Sequence, residues 1–325
     1  MGTLQAPSSA PLAGFRAKRL GREVAAAAAV SLLALGGLFG SLEPLAVVSS
    51  ARAQAAERIV AAGGVVTEVL YALGQQDKVV GVDTTSQWPP EALKDKKSVG
   101  YVRALSAEGV LSLKPSQVIA VEGAGPPDAL ALLKESGTPI TMIPEALTPE
   151  AVVSKIAAIG KAAGVAESAQ QLAAAVKGRF EELDKLRSGL PGQKRVLFVL
   201  SLQNGRTLVG GRATTADAII ALAGGVNAAS AVEGFKPMTD EAIITAAPDV
   251  VLMMRHTNSG AHSAVAAELY AMPAFSQTPA AKQQSLIRMD GLYLLGFGPR
   301  TPNAARDLMA ELYPEAKVAQ LSAAK

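Results

Sequence analysis

Short apolar segments alternate with helical segments twice along this chain, and this alternation constrains the fold more than any other feature. The predicted strands are residues 58–61, 78–82, 117–121 and 140–143 in the first round and residues 195–200, 250–254 and 286–289 in the second. Strands of this length separated by helices are typical of parallel sheets covered by helices on both faces. The sequence therefore predicts an α/β protein with two Rossmann-like lobes, each built on a parallel sheet.

A helical stretch without hairpin signals separates the two rounds. Residues 149–187 carry alanine, leucine and charged residues at helical spacing, interrupted only at residues 160–164, which predicts one short helix and one long helix. The long helix would span about 20 residues, or about 30 Å, which is enough to join two lobes. We therefore expect an N-terminal lobe at residues 54–150, an interlobe helical linker at 151–190 and a C-terminal lobe at 191–325, with a ligand cleft between the lobes.

The first 53 residues have the pattern of a secretory signal peptide. A basic region at residues 16–22 precedes an apolar, alanine-rich stretch at residues 24–39, and Ala51-Arg52-Ala53 offers a cleavage site between small residues. A transmembrane anchor is the alternative, but the apolar stretch is short for a membrane span. The chain has no cysteine, so neither a lipidated cysteine nor a disulfide is expected. We therefore predict a protein that is free in the periplasm after removal of residues 1–53.

The positive charge of the chain is concentrated in this leader. The formal net charge is +3, and the leader holds five basic and two acidic residues, which leaves the mature chain close to neutral. Nucleic-acid-binding domains are typically strongly basic on one face. We therefore expect no nucleic acid among the partners.

A tyrosine and an arginine stand two residues apart in Gly100-Tyr101-Val102-Arg103, a predicted turn before a helix that begins at Ser106. A phenol loses its proton near pH ~10, so a phenolate at neutral pH costs about 4 kcal/mol unless a cation stabilises it. Fe(III) is such a cation, tyrosinate is an established axial ligand of haem, and a neighbouring guanidinium can donate a hydrogen bond to the phenolate oxygen. The pair therefore predicts a site for ferric haem. A surface tyrosine packed on its loop remains the alternative from this segment alone.

Two segments of the chain repeat the order of a helix cap, a glutamate, a short helix, a proline and a strand. They are residues 105–119 and 238–251, with Glu108 and Glu241 in matching positions. An acidic side chain in the first turn of a helix interacts favourably with the helix dipole, by about 0.3–1 kcal/mol, which is a sufficient reason for either glutamate alone. A matched pair on two similar lobes also suits docking on a two-fold basic partner.

With these motifs, the chain after residue 56 resembles the periplasmic haem-binding proteins of bacterial haem ABC importers. They fall within the class III substrate-binding proteins, which also include cobalamin and siderophore binders. The resemblance rests on the Tyr101 segment and on residues 210–217, 234–238 and 294–302. It implies that Tyr101 is the axial ligand of the metal and that Arg103 supports its anionic form. It also implies that Glu108 and Glu241 meet arginines of the permease.

The resemblance implies a transport protein rather than an enzyme. Ferric haem b is then the transported ligand, and an inner-membrane ABC permease with its ATPase is the partner of a monomeric binding protein, with an outer-membrane haem receptor upstream. An enzyme is the less favoured alternative, since the chain has no Ser-His-acid order, no paired carboxylates near a shared loop and no nucleotide fingerprint. A receptor for a ferric siderophore or a corrinoid remains open, as does a scavenger that passes haem to another soluble protein.

The only two histidines of the chain, His256 and His262, follow the predicted strand at residues 250–254. Loops at the carboxyl ends of parallel strands face the ligand cleft, so Arg255 or His256 is a candidate to bind a haem propionate or to lie over the distal face of the haem. The alternative is a mobile polar loop without a role in binding. So few histidines also disfavour a zinc or manganese receptor.

The resemblance also bears on the coordination number and on the walls of the cleft. Some members carry a second ligand, a histidine, after the first strand of the second lobe, but residues 201–205 contain none, which implies five-coordinate iron held by Tyr101 alone. Arg212 follows two glycines that we expect to form a turn at the cleft, where it is either structural or near a propionate. Phe297 and Pro299 are candidates for an apolar floor, although packing alone also explains them.

Overall fold

Two β-sheets, one in each lobe, organise the computed structural model of this protein. The structure describes residues 57–203, 206–255 and 261–322. These residues belong to one compact unit, Ala53–Lys325. The predicted leader at residues 1–53 and the candidate site residue His256 lie outside the described residues.

The N-terminal lobe is built on a parallel five-stranded sheet with helices on both sides. Its strands are β1 (Ile59–Ala62), β2 (Val79–Val82), β3 (Lys97–Ser98), β4 (Gly100–Tyr101), β5 (Ala104–Leu105), β6 (Gln117–Val121) and β7 (Ile140–Ile143). Its helices are α1 (Gly64–Ala72), α2 (Pro90–Asp95), α3 (Ala107–Ser112) and α4 (Pro127–Glu135), with a 3₁₀ turn at Gln76–Lys78. The parallel sheet has the order β3-β2-β1-β6-β7, whereas β4 and β5 form a separate antiparallel hairpin.

Residues of this sheet alternate between its two faces. In β1, Ile59 and Ala61 pack into the core that contains Val66 of α1, whereas Val60 belongs to the core that contains Leu133 of α4. Successive side chains of a strand point to opposite faces, so an apolar run such as Ile59–Ala62 fills both cores. Both faces of the sheet are therefore buried, as is typical of parallel sheets.

Two helices follow the first sheet. They are α5 (Pro149–Ala162), which the Thr148 side chain caps by accepting a hydrogen bond from Ala151 N, and α6 (Ala166–Ser188), which has 23 residues. α5 packs on α1 and α6 lies along α5. The short helix and the long helix predicted at residues 149–187 are confirmed.

The C-terminal lobe is built on a mixed sheet. Its strands are β8 (Arg195–Gln203), β9 (Arg206–Gly210), β10 (Val226–Asn227), β11 (Phe235–Met238), β12 (Val250–Arg255) and β13 (Leu286–Asp290). Its helices are α7 (Thr215–Leu222), α8 (Asp240–Ala246), α9 (His262–Ala271), α10 (Pro273–Ser276), α11 (Pro279–Gln283), α12 (Gly291–Leu295) and α13 (Thr301–Leu312), with a 3₁₀ turn at Pro314–Ala316. The main order is β11-β9-β8-β12-β13, and β10 pairs with the start of β8.

The sequence predicts a parallel sheet in this lobe, but only part of the sheet is parallel. β8, β12 and β13 run parallel, but β9 is antiparallel to both β8 and β11. The antiparallel pairing of β8 with β9 extends to Gln203 and Arg206, and in the sequence Asn204 and Gly205 stand between these two residues. An Asn-Gly pair is the strongest short-range signal for a hairpin, because both residues tolerate positive φ. The local sequence therefore favours the hairpin formed by β8 and β9.

A single apolar core joins the two lobes. It contains Val66 of α1, Phe180 of α6 and Leu308 of α13, and α6 packs against α5, α7 and α13. Separating the lobes would expose part of this core, at about 25 cal/mol for each Å² of apolar surface. Among the described residues, no helix combines the length and the hydropathy that a membrane crossing requires.

Candidate ligand-binding cleft

A cleft with a volume of about 1140 Å³ lies between the two lobes. Its N-terminal wall consists of residues that follow the carboxyl ends of β2, β3 and β7, namely Thr85, Gln87, Tyr101, Arg103 and Glu145. Its C-terminal wall includes the carboxyl ends of β12 and β13 and part of α12. Ligands of open α/β sheets bind beyond the carboxyl ends of the strands. The topology of both lobes therefore points to this cleft.

Tyr101 lies at the tip of the β4–β5 hairpin, and 48% of its surface is exposed. The hairpin is fixed from two sides: Thr84 N donates to Gly100 O at 2.9 Å, and Leu105 N donates to Gly125 O at 2.7 Å. Gly100 has φ of +99°, and a Cβ there would come within 2.8 Å of Ala104 O. Only glycine adopts this conformation without strain. The backbone therefore presents the phenol of Tyr101 to the cleft in a defined direction.

The other four tyrosines of the chain lie outside the cleft. Burial is the main cause that raises the pKa of Tyr71, Tyr270, Tyr293 and Tyr313. In addition, Tyr293 donates a hydrogen bond to Asp307 Oδ2 at 2.7 Å, which further favours its protonated form. A phenol with a raised pKa stays neutral at physiological pH. Tyr101, by contrast, is the tyrosine that lines the cleft.

Arg103 reaches the cleft from the same hairpin. Val102 and Arg103 connect the paired residues Tyr101 and Ala104, and Val102 is buried. Because Val102 points into the core, its two neighbours Tyr101 and Arg103 are exposed and line the cleft. The structure therefore brings together the tyrosine and the arginine that the sequence singled out.

Apolar side chains of the C-terminal lobe form much of the opposite wall. They are Leu200, Phe235, Met254, Leu292 and Leu295. Phe235 is 41% exposed, and its ring meets Phe198 edge-on at a centroid distance of 6.3 Å. A Cβ on Gly210 would lie 3.2 Å from the Phe235 ring. Gly210 therefore makes room for an aromatic side chain to which the sequence alone assigns no role in the cleft.

For Phe297, Pro299 and Arg212, the structure supports the packing or structural alternative rather than a place in the cleft wall. Phe297 is 1% exposed and belongs to the shared core, and Pro299 borders a different pocket, so neither forms the floor. Leu292 and Leu295, which precede them, line the cleft instead. Arg212 pairs with Glu233 at 3.7 Å on the surface rather than in the cleft. The positions of these side chains depend on contacts between distant parts of the chain, which the local sequence pattern does not reveal.

Basic side chains gather where β12 and β13 end. Arg255 and Arg288 line the cleft with His262, the first residue of α9. In the parallel register Arg255 pairs with Asp290 and Met253 pairs with Arg288, so Arg255 and Arg288 project from one face. Asp290 Oδ1 accepts a hydrogen bond from Tyr293 N at 2.9 Å and thereby caps α12. We call Arg255 and Arg288, which His262 flanks, the cationic wall.

The sequence identified only part of this wall. Arg255 lies at the cleft as expected, whereas the neighbouring candidate His256 lies outside the described residues. Arg288 was not identified from the sequence. It stands near the carboxyl end of the predicted strand at residues 286–289, and that position alone could have indicated a place at the cleft. Within residues 57–203, 206–255 and 261–322, no three His, Cys, Asp or Glu side chains come together as a metal site.

Glu108 and Glu241 lie in equivalent elements of the two lobes. Ser106 Oγ accepts a hydrogen bond from Gly109 N at the start of α3, and Thr239 Oγ1 accepts one from Ala242 N at the start of α8. The strands that follow, β6 and β12, each stand fourth in the order of their sheet. Both glutamates are exposed and neither lines the cleft. The repeat seen in the sequence is thus a structural repeat.

Comparisons with known proteins agree on one family. A family model described as "Periplasmic binding protein" matches residues 59–292. Among solved structures, the periplasmic heme-binding protein RhuT from Roseiflexus sp. RS-1, in its apo form, is 39% identical, with a TM-score of 0.75 and coverage of 80% of this chain and 99% of that chain.

Two curated relatives extend the comparison. An ABC transporter substrate-binding lipoprotein of Bacillus subtilis, YvrC, is 29% identical over 252 residues, which is 77% of each chain. The vitamin B12-binding protein of Vibrio cholerae is 26% identical over 208 residues, covering 64% of this chain and 74% of the relative. The relatives therefore belong to one family, but different members are named for different ligands.

Proposed function

The chain belongs to the periplasmic binding protein family, and we propose that it carries ferric haem on the phenolate of Tyr101. Members of this family are substrate-binding transport proteins of ABC importers that act outside the cytoplasm, and they are not enzymes. Haem is then cargo rather than a resident cofactor. The residues of the cleft bind and orient it without breaking a bond.

The observation that carries the proposal is the position of Tyr101. Its phenol faces the cleft from a hairpin whose backbone is held by hydrogen bonds, whereas none of the other four tyrosines lines the cleft. Fe(III) stabilises a phenolate, and tyrosinate is a known axial ligand of haem iron. Arg103 beside it supplies a positive charge that favours the anionic form.

The rest of the cleft matches a flat apolar molecule with carboxylates at one edge. Phe235, Leu292 and Leu295 offer apolar surface to a porphyrin ring. The cationic wall offers guanidinium groups to two propionates, and guanidinium–carboxylate hydrogen bonds are among the strong ones in proteins. We therefore extend the proposed binding site from Tyr101, Arg103 and Arg255 to His262 and Arg288, with His256 retained as a candidate.

A corrinoid is the second candidate ligand, because curated relatives are vitamin B12-binding proteins. A corrin ring carries mostly neutral amides at its edge and gains little from the cationic wall. A hexadentate ferric siderophore, the other candidate, already fills all six positions of its iron and leaves none for the Tyr101 phenolate. A corrinoid would therefore leave the cationic wall without a role in binding, and a ferric siderophore would leave the Tyr101 phenolate without one.

Titration of the purified protein separates these ligands. We expect hemin to saturate the protein and to give the visible spectrum of a high-spin ferric tyrosinate, with no saturable binding of cyanocobalamin or of a ferric hydroxamate siderophore. Saturable binding of either of the latter without binding of hemin would overturn the proposal.

Delivery completes the proposed function. Glu108 and Glu241, exposed on equivalent helices of the two lobes, would meet basic residues of the permease, whose ATPase drives import. The shared core and α6 oppose a large hinge motion, so release follows from a modest separation of the lobes that the permease imposes. The protein reaches the periplasm through a leader at residues 1–53 that is then removed.

A further inference from the structure

One segment of the C-terminal lobe crosses to the N-terminal lobe beneath the cleft. This floor segment, residues 291–300, contains α12 and the residues that follow it, and its Leu292 and Leu295 line the cleft. Its contacts with α1 are close: a Cβ on Gly64 would lie 2.8 Å from Leu292 Cδ1, and a Cβ on Gly298 would lie 2.9 Å from Val65 Cγ2. The height of the cleft floor therefore depends on how this segment sits on α1.

A buried carboxylate of α1 holds one end of the floor segment. Glu68 is only 6% exposed, and its Oε2 lies 2.8 Å from Arg300 Nη2, while its Oε1 accepts a hydrogen bond from Arg300 N at 3.3 Å. The guanidinium of Arg300 also lies 4.4 Å from the ring centre of Trp88 and 5.2 Å from that of Tyr293. Glu68 therefore binds both the backbone and the side chain of Arg300.

A buried lysine of α5 holds the same segment three residues earlier. The Lys155 side chain is 1% exposed, and its Nζ lies 3.0 Å from Glu145 Oε1 and donates a hydrogen bond to Phe297 O at 3.3 Å. Glu145 itself lines the N-terminal wall of the cleft. Lys155 thus ties a wall residue of one lobe to the backbone of the floor segment.

Two charges this deeply buried are costly unless they are paired, and pairs of this kind are often no more stabilising than apolar packing. The lobes already share an apolar core, so stability alone does not require them. Both residues bind the floor segment. Their directional bonds fix its position more narrowly than apolar contacts, which tolerate sliding.

We propose that Glu68 and Lys155 are positioning residues of the binding cleft. They hold the floor segment at a fixed height, so that a haem lying on Leu292 and Leu295 meets the Tyr101 phenolate at the correct distance. This inference rests on haem as the ligand, and it assigns the positioning of the iron to two residues that do not touch the ligand.

The test compares Glu68→Gln and Lys155→Met with the matched control Lys78→Met. Lys78 forms an ion pair of 2.9 Å with Glu57 in the same lobe but at the surface. We expect the two floor variants to release hemin to an acceptor such as apomyoglobin at least about tenfold faster than the wild type, since altered contacts act mainly on dissociation. Their ferric EPR signal should broaden because the iron–phenolate geometry is less uniform. The control should keep the wild-type rate and spectrum.

A purely structural role would lower the midpoint of thermal unfolding without changing either readout of the folded protein. Wild-type release rates and spectra in folded Glu68→Gln and Lys155→Met would therefore overturn the inference. If a variant does not fold, Arg300→Lys decides, because it keeps the positive charge but removes the guanidinium nitrogen that contacts Glu68 Oε2: faster release supports the inference and an unchanged rate overturns it. Absence of a tyrosinate spectrum in the wild type would instead refute the proposed function, before any variant is compared.

Discussion

Tyr101 and Arg103 combine access to the cleft with a backbone that cannot easily move. The exposure of Tyr101 leaves its phenol available, and the hydrogen bonds to Gly100 and Leu105 hold the hairpin. These two residues were predictable because their signal is local: a tyrosine, an arginine and a turn within four residues. Phe235 and Arg288 were not, because they reach the cleft through sheet order and register, which connect distant parts of the chain.

At the cationic wall, we expect Arg255→Gln to reduce a preference for free carboxylates. The wild type should bind hemin more tightly than hemin dimethyl ester, which lacks the charges. The loss of one charge-assisted hydrogen bond, about 1.5–3 kcal/mol, should weaken hemin binding about tenfold or more and leave ester binding unchanged. Titrations followed by visible absorption measure both affinities.

The matched control for this prediction is Arg212→Gln. Arg212 is an exposed arginine paired with Glu233 away from the cleft, so its loss should leave both affinities at the wild-type level. Equal affinity of the wild type for hemin and for its dimethyl ester would show that the cationic wall does not bind the propionate carboxylates.

At the scale of elements, most regular strands and helices were predictable from local patterns, whereas the edge strand β11 was not. Predicted strands at residues 117–121 and 140–143 coincide with β6 and β7, because apolar runs bounded by turn residues determine them locally. β11 was missed: it carries Pro237 and an exposed Phe235, so its composition resembles a loop. An edge position is where a sheet tolerates proline.

The β4–β5 hairpin yields a prediction about Gly100. Gly100→Ala should destabilise the protein by about 1–3 kcal/mol, because alanine is strained at φ of +99° and its Cβ would approach Ala104 O. Hemin affinity should fall as well, since Tyr101 would shift with the hairpin. Urea unfolding and hemin titration measure the two effects.

Gly123→Ala is the control for backbone strain. Gly123 also has positive φ, +81°, but a Cβ there meets no atom within 4 Å. It should destabilise the protein less than Gly100→Ala and leave hemin affinity unchanged. An equal loss of affinity in both variants would argue against a specific role of the hairpin.

At the scale of the whole molecule, two similar lobes share one core and present matching helices. The repeat of β6 with α3 and of β12 with α8 makes Glu108 and Glu241 equivalent by fold. The two-lobe architecture was predictable because the alternation of strands and helices restarts after a long helical stretch. The floor segment was not, since its contact with α1 joins residues more than 200 positions apart, as in the Arg300–Glu68 pair.

The glutamate pair should matter for transport and not for binding. In the double variant Glu108→Ala with Glu241→Ala, hemin affinity should equal that of the wild type, while uptake into cells or permease-containing vesicles should fall at least about tenfold, because two charge contacts with the permease are lost.

A double variant of Glu150→Ala and Glu167→Ala provides the comparison. These exposed glutamates also lie in first helical turns, those of α5 and α6, but outside the repeat. Transport should stay normal in this second variant. Normal uptake by the Glu108 and Glu241 variant would refute docking through that pair.

The ferric spectrum of Tyr101→Phe tests the central claim most directly, because phenylalanine keeps the ring and removes only the oxygen. We expect the hemin complex of the wild type to show the charge-transfer absorption of a high-spin iron tyrosinate, and the Tyr101→Phe protein to lose this band while retaining its fold by circular dichroism. A hemin complex of Tyr101→Phe with the same absorption band as the wild type would contradict the claim that the Tyr101 phenolate holds the iron.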